Sequence, residues 1–118
     1  DEEEQSMTFA GDMPEGTKAR LMKANFDKLI DGAYDAANSG LIPLDSKEAE
    51  LALLVSCVGR KLVLDQRIEE EVESVGEVVG SNAAITGFYS YGELAPFAGY
   101  LNCELHNQTM TVTLLGEQ

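Results

Sequence analysis

An α+β architecture, a mostly antiparallel sheet with two packed helices in the order β-α-β-α-β-β, is expected from three features of this 118-residue chain. Two stretches repeat apolar residues at helical spacing, so each carries a single stripe that must be buried against something else. Several shorter stretches either alternate or are apolar throughout, which marks strands. Gly- and Pro-containing turns separate these stretches, with no internal repeat or low-complexity tract among them. Helices with one apolar stripe and strands with one apolar side bury both when they pack as layers.

The elements follow in order. Asp1–Gln5 is acidic and apolar-free and reads as a linker, leaving residues 6–118 as one domain. Ser6 to Ala10 places Met7 and Phe9 on one side, as a short strand does, and Gly11 to Gly16 is turn punctuation. From Thr17 the period lengthens. Met22, Phe26, Leu29, Ile30, Ala33 and Ala37 share one helical face, with Thr17 expected as the cap and Gly40 as the stop. Leu51 to Val58 is apolar on both sides and reads as a central strand covered on each face. A second helix follows, with Leu64, Ile68, Val72, Val75 and Val79 inward, Glu69, Glu70, Glu71 and Glu73 mostly solvated, and Gly80 at its end. Ala84 to Tyr91 alternates as a strand with two decorated faces. Gly92 to Gln108 reads as a long irregular segment, and Thr109 to Leu115 as a final strand with one threonine-rich face.

Composition excludes several classes of function. The formal charge is −13 with only 8 Lys and Arg, scattered rather than striped, so a nucleic-acid backbone or an anionic lipid surface would be repelled. No apolar run reaches the roughly 18 residues that span a bilayer, and Asp1 to Glu4 is the reverse of a basic leader. Cys57 and Cys103 are expected to be reduced, since a disulfide-built secreted domain would carry more cysteines. Nucleotide-binding, zinc-protease and CxxC patterns are absent. A zinc site would need Cys57, Cys103, His106 and a carboxylate to converge without any spacing signature.

Three places carry chemistry. At Ser56-Cys57-Val58-Gly59-Arg60 a buried strand turns into a helix, so first-turn N–H groups and the Arg60 fork form a candidate anion site; equally, Arg60 pairs with Asp65 or another nearby acid. Gly87 to Glu93 gathers Phe88, Tyr89 and Tyr91, with Phe97 and Tyr100 beyond, and tyrosine's apolar ring and polar tip suit a small-ligand pocket as well as a packed sheet face. Glu104 to Thr109 brings the single histidine, His106, beside Asn107 and Gln108, either as a polar binding wall or as a turn held by side-chain bonds. Cys57, His106 and Glu93 are also the residue types of a thiolate, base and orienter, but an apolar strand raises a thiol's pKa and hides it.

Taken together, LLVSCVGRKLVLDQRIEEEV, ITGFYSYGELAPF and LHNQTMTVTLL resemble the C-terminal domain of the FIST (F-box and intracellular signal transduction) family, and MTFAGDMPEG fits the family's opening. The resemblance implies a non-enzymatic, cytoplasmic ligand-sensing domain. Its partners would be a small molecule such as an amino acid, a FIST N-terminal domain and a signalling output domain. Arg60, Tyr91, Glu93, His106 and Asn107 are the expected ligand-binding residues: Arg60 for a carboxylate, Glu93 for an ammonium, Tyr91 for the apolar part. Cys57, Gly59, Phe88, Gly92, Pro96 and Thr109 are the remaining motif positions. No cofactor is expected on this reading. Two alternatives accompany it: a haem-binding nitric-oxide sensor with His106 as axial ligand, and a structural module whose motifs shape an interface to the FIST N-terminal domain.

Overall fold

The computed structural model describes residues 1–45, 48–96 and 102–117. Helix α1 (Phe26–Leu41) runs through a short 3-10 turn, Ile42–Leu44, towards strand β1 (Leu51–Cys57). Helix α2 (Val58–Leu64), a second 3-10 turn and helix α3 (Ile68–Val79) carry the chain across to β2 (Ala84–Ser90). Strands β3 (Glu93–Pro96), β4 (Cys103–His106) and β5 (Met110–Leu115) complete the order.

β1 is central, as its apolar composition requires. It pairs in parallel with β2, from Leu51↔Ala84 to Cys57↔Ser90, and antiparallel with β5, from Leu51↔Leu115 to Ser56↔Met110. The helical crossover makes the parallel pair possible, because parallel neighbours cannot be joined by a tight turn. β3 and β4 form a separate antiparallel ladder with Glu93 opposite His106 and Pro96 opposite Cys103. Two of the three ladders are antiparallel, and the architecture is α+β.

Alternation along the strands decides which side is core. Ala52 and Leu54 of β1 meet Ala33 and Ala37 of α1 and Val75 and Val79 of α3, with Met110, Val112 and Leu114 of β5 packed against them. The small alanines let α1 approach closely. Paired residues share a face, so Leu51, Leu53 and Val55 lie with Ala84, Thr86 and Phe88 on one side and Thr111, Thr113 and Leu115 on the other. This second face is open: Leu53 is 37% exposed and Phe88 61%. β1 is therefore central but covered by helices on one face, not two.

Other elements depart from expectation. Residues 1–25 form neither helix nor strand, so the strand expected over Ser6 to Ala10 is not formed. Thr17 does not cap α1, because its hydroxyl donates to the Pro14 carbonyl at 2.6 Å. Asn25 does the capping, its Oδ1 accepting from the Lys28 N–H at 3.2 Å. The helix also runs past Gly40 to Leu41. The expected second helix is divided at Asp65, whose φ of +49° interrupts the α-helical run. The segment from Gly92 to Gln108 contains β3 and β4, with Pro96 on a two-stranded ladder where a missing N–H is tolerated. Phe97, Gly99 and Tyr100 lie outside the described residues.

Candidate functional site

Chemistry-bearing side chains collect where β1, β2 and β5 meet the start of α2, and they form two groups, each built around a buried carboxylate. Ser56 and Tyr89 are paired neighbours on the helix-covered face; Cys57 and Ser90, one position on, project to the opposite side.

The first group centres on Glu71, which is fully buried. Its Oε2 accepts from Arg60 Nε and lies 3.0 Å from Arg60 Nη2; its Oε1 accepts from Ser56 Oγ at 3.1 Å and Tyr89 OH at 3.0 Å. Arg60 Nη2 also donates to the Leu29 carbonyl at 2.7 Å. One ion pair thus ties together α1, β1, α2, α3 and β2. A charge this deep is tolerable only because every lone pair is used. Burial first, and then the neighbouring Glu71 carboxylate, push the Tyr89 phenol up to about 12. Lys61 Nζ stands 5.0 Å from the centre of the Tyr89 ring. Tyr89, with Ile68, Glu69, Val72 and Glu73 of α3, also lines an open hollow of about 390 Å³.

The second group centres on Glu93, which is 2% exposed. Ser90 Oγ donates to Oε1 at 2.5 Å and Thr109 Oγ1 to Oε2 at 2.7 Å. His106 stands opposite Glu93 across the β3–β4 ladder, its Nε2 3.0 Å from the Ala95 carbonyl. Asn107, in the turn that follows, donates from Nδ2 to the Ala10 carbonyl at 2.8 Å. The Cys57 N–H donates to the Thr109 carbonyl at 3.0 Å, joining the end of β1 to this group. Gly59 lies in the first turn of α2, against the Gln108 side chain.

The structure brings together Glu93, His106, Thr109 and, beside them, Asn107 and Cys57. It does not put Arg60 with them. That guanidinium is committed to Glu71, an acid from the following helix rather than Asp65, which corrects the anion-site reading. Tyr91 is 90% exposed, and Phe88 belongs to the open sheet face. Gly92 leads into β3 and Pro96 ends it. Both cysteines are free, Cys57 buried and Cys103 exposed. Among the bonds between described residues, none links Glu93 or His106 to the Cys57 thiol. An iron on His106 Nε2 would have to displace the Ala95 carbonyl, one side-chain contact beside the β3–β4 ladder. Among the described residues no three His, Cys, Asp or Glu side chains converge as a metal would need. Among them, too, no helix is long and apolar enough to cross a membrane.

Sequence reasoning passed over Glu71 and Ser56. Glu71 sits in an acidic run and reads there as one of four mostly solvated glutamates. Its signal was spacing: Glu71, Ser74, Val75 and Val79 share one helical face and are all buried, whereas Val72 is 40% exposed.

Neither the curated proteins nor the solved structures gave a match to the chain. The family model described as the FIST C domain matches residues 1–96 of the 118. That span holds the Glu71 cluster, Ser90 and Glu93, while His106, Asn107 and Thr109 lie beyond it. The chain belongs to the FIST C domain family, a sensory domain of signal-transduction proteins.

Proposed function

We propose that this domain is non-enzymatic and senses a small ligand bearing an ammonium group, such as an amino acid, through Glu93, His106 and Asn107. The observation that carries the reading is Glu93 itself. A carboxylate only 2% exposed is held by two hydroxyl groups, where the parallel strands β1 and β2 end. Hydroxyls rotate and accept as well as donate, so Ser90 and Thr109 can turn towards an incoming cation without losing their place. The carboxyl ends of parallel strands are also where α/β sheets commonly hold ligands. Arg60 and Tyr91 leave the ligand set, the first because its charge is already neutralised by Glu71, the second because it points into solvent. A ligand carboxylate would then be met by Asn107 and by backbone N–H groups.

The open face of the main sheet supports a second element of the reading. Leu53, Phe88 and Leu115 are exposed on a face whose strand residues carry no charge, in a chain of net charge −13. Such a face is suited to a partner domain. The FIST N-terminal domain and a signalling output domain are the partners we propose, with ligand favouring one arrangement of the domains over another.

Calorimetry of the full-length protein against an amino-acid panel tests the ligand. Binding is expected for wild type and at least about tenfold weaker for Glu93→Gln, the loss of one charged hydrogen bond. A panel without a binder, or binding indifferent to Glu93→Gln, overturns the reading.

A further inference from the structure

The unpacked N-terminal segment and the free edge of β5 fit one another. Leu21 is 87% exposed and Met22 83%, and Met7 and Phe9 also face solvent, although the family match takes in all four. Four large apolar side chains exposed along one segment mark a stretch suited to docking on a surface. The segment touches the body through Asn107, at the Ala10 carbonyl. Its centre is already shaped: the Thr17 N–H donates to the Pro14 carbonyl at 3.1 Å, and Gly16 has a φ of +83°, as the third position of a type II turn requires. Two arms leave this turn: residues 6–12 before it, where Met7 and Phe9 alternate, and residues 18–24 after it, where Ala19 and Leu21 would share one side and Met22 the other.

Topology says where the second arm goes. The Arg67 guanidinium at the head of α3 reaches Asp27 in the first turn of α1, and Ser74 Oγ reaches the Ile30 carbonyl, so the two helices run side by side in the same direction. The Arg60 bond to the Leu29 carbonyl puts the start of α1 at the end of β1. A strand feeding α1 would therefore run parallel to β1 and finish beside its end. Crossovers between parallel strands have one hand. The β1–α3–β2 crossover steps from β1 towards β2, with its helix on the covered face. A strand–α1–β1 crossover using a helix on that same face must step the same way, and so must start on the β5 side. α1 already lies over β5, with Gly40 against Leu114 and the Val112 carbonyl. β5 is the outer strand there, MTVTLL, with neither a charge nor a proline to protect its edge.

We propose that residues 18–24 add to the free edge of β5 as a fourth strand, antiparallel to it and parallel to β1, with residues 6–12 folding back on them as a hairpin. Docking places Leu21 and Met22 on opposite faces of the added strand, one towards α1 and the other on the open face, and leaves the outer edge of β2 as the unpaired edge of the strands now in the main sheet. The undocked arm is the conformation seen in this structure. The proposal rests on topology and does not use the ligand reading.

Nuclear magnetic resonance of the isotope-labelled 118-residue chain tests it. Docking predicts cross-strand Hα–Hα contacts between residues 18–24 and 110–115 in antiparallel register, with slowed amide exchange in the first stretch. The double variant Leu21→Asp, Met22→Asp should lower Tm by about 4–8 °C or more, since an effect on the order of 1 kcal/mol moves a domain of this size that far. Random-coil exchange across residues 18–24 with an unchanged Tm would overturn the proposal. So would contacts to β2 instead of β5, or contacts that appear only between chains as concentration rises.

Discussion

Arg60 and Glu71 show how one side chain can change an entire functional reading. As a sequence feature Arg60 sits at a strand-to-helix turn, where an anion is welcome. In the fold its guanidinium is enclosed by Glu71 and the Leu29 carbonyl. Removing one partner of a buried pair strands the other charge, which costs about 3–5 kcal/mol. Arg60→Ala should therefore lower the denaturant midpoint sharply, and Arg60→Ala with Glu71→Ala together should cost less than the sum of the two single changes. Additive losses in that double-mutant cycle would show that the pair is not coupled. Tyr89 gives a pH signature. Its phenol is pushed up from 10.0 to about 12 by burial and by Glu71. The unfolded chain loses this proton near pH 10, while the native state keeps it to about pH 12. The unfolded state then binds fewer protons than the native one, so stability is full below pH 10 and falls as pH rises towards 12. Tyr89→Phe should lack this part of the decline, measured as the difference in midpoint between variant and wild type over that window.

Among the elements, β2 is the most tightly specified by a single position. Gly87 lies opposite Leu54 in the parallel ladder, and a Cβ built there would collide with the Leu54 carbonyl. That obstacle is backbone and cannot turn away. Gly59 offers the contrast: its Cβ would stand 2.6 Å from Gln108 Nε2, the far end of a flexible side chain. Gly87→Ala should cost at least about 1–3 kcal/mol through strain. Gly59→Ala, inside α2, should be near neutral, because alanine recovers up to about 1 kcal/mol of helix propensity. Equal losses in thermal unfolding would contradict this account of the two sites. α3 teaches a related lesson. Its stripe was legible from valine spacing, but rotation about the axis by one residue exchanges Val72 for Glu71 at the core. Spacing alone does not fix that rotation when a buried arginine can receive the acid. The long segment after Tyr91 hid two strands because its ladder is only four residues long and includes a proline.

In the molecule as a whole, burial is lopsided. One sheet face is packed by α1 and α3 and the other is open. Leu64, which is 2% exposed, and Phe88, which is 61% exposed, should therefore respond differently to truncation. Leu64→Ala should cost about 2–5 kcal/mol, and Phe88→Ala should stay within about 0.5 kcal/mol in the isolated chain. Phe88→Ala should instead weaken association with a FIST N-terminal domain, read by titration of the two purified domains. An unchanged affinity would remove the open face from the interface.

Periodicity and composition were enough for the α+β architecture, the central place of β1, the threonine-lined face of β5 and part of each helical stripe, Ala33 and Ala37 in α1 and Val75 and Val79 in α3. These follow from local rules: spacing sets which residues share a side, and apolar content sets which side is buried. The motifs LLVSCVGR and GFYSYGE fall within the residues that match the family, while LHNQT lies beyond them. The partner of Arg60, the burial of Glu71, the division of the second helix and the uncovered face of β1 depend instead on contacts between residues far apart in the chain. A carboxylate in an acidic run is solvated by default, and only the arrival of Arg60, Ser56 and Tyr89 from three other elements makes its burial possible.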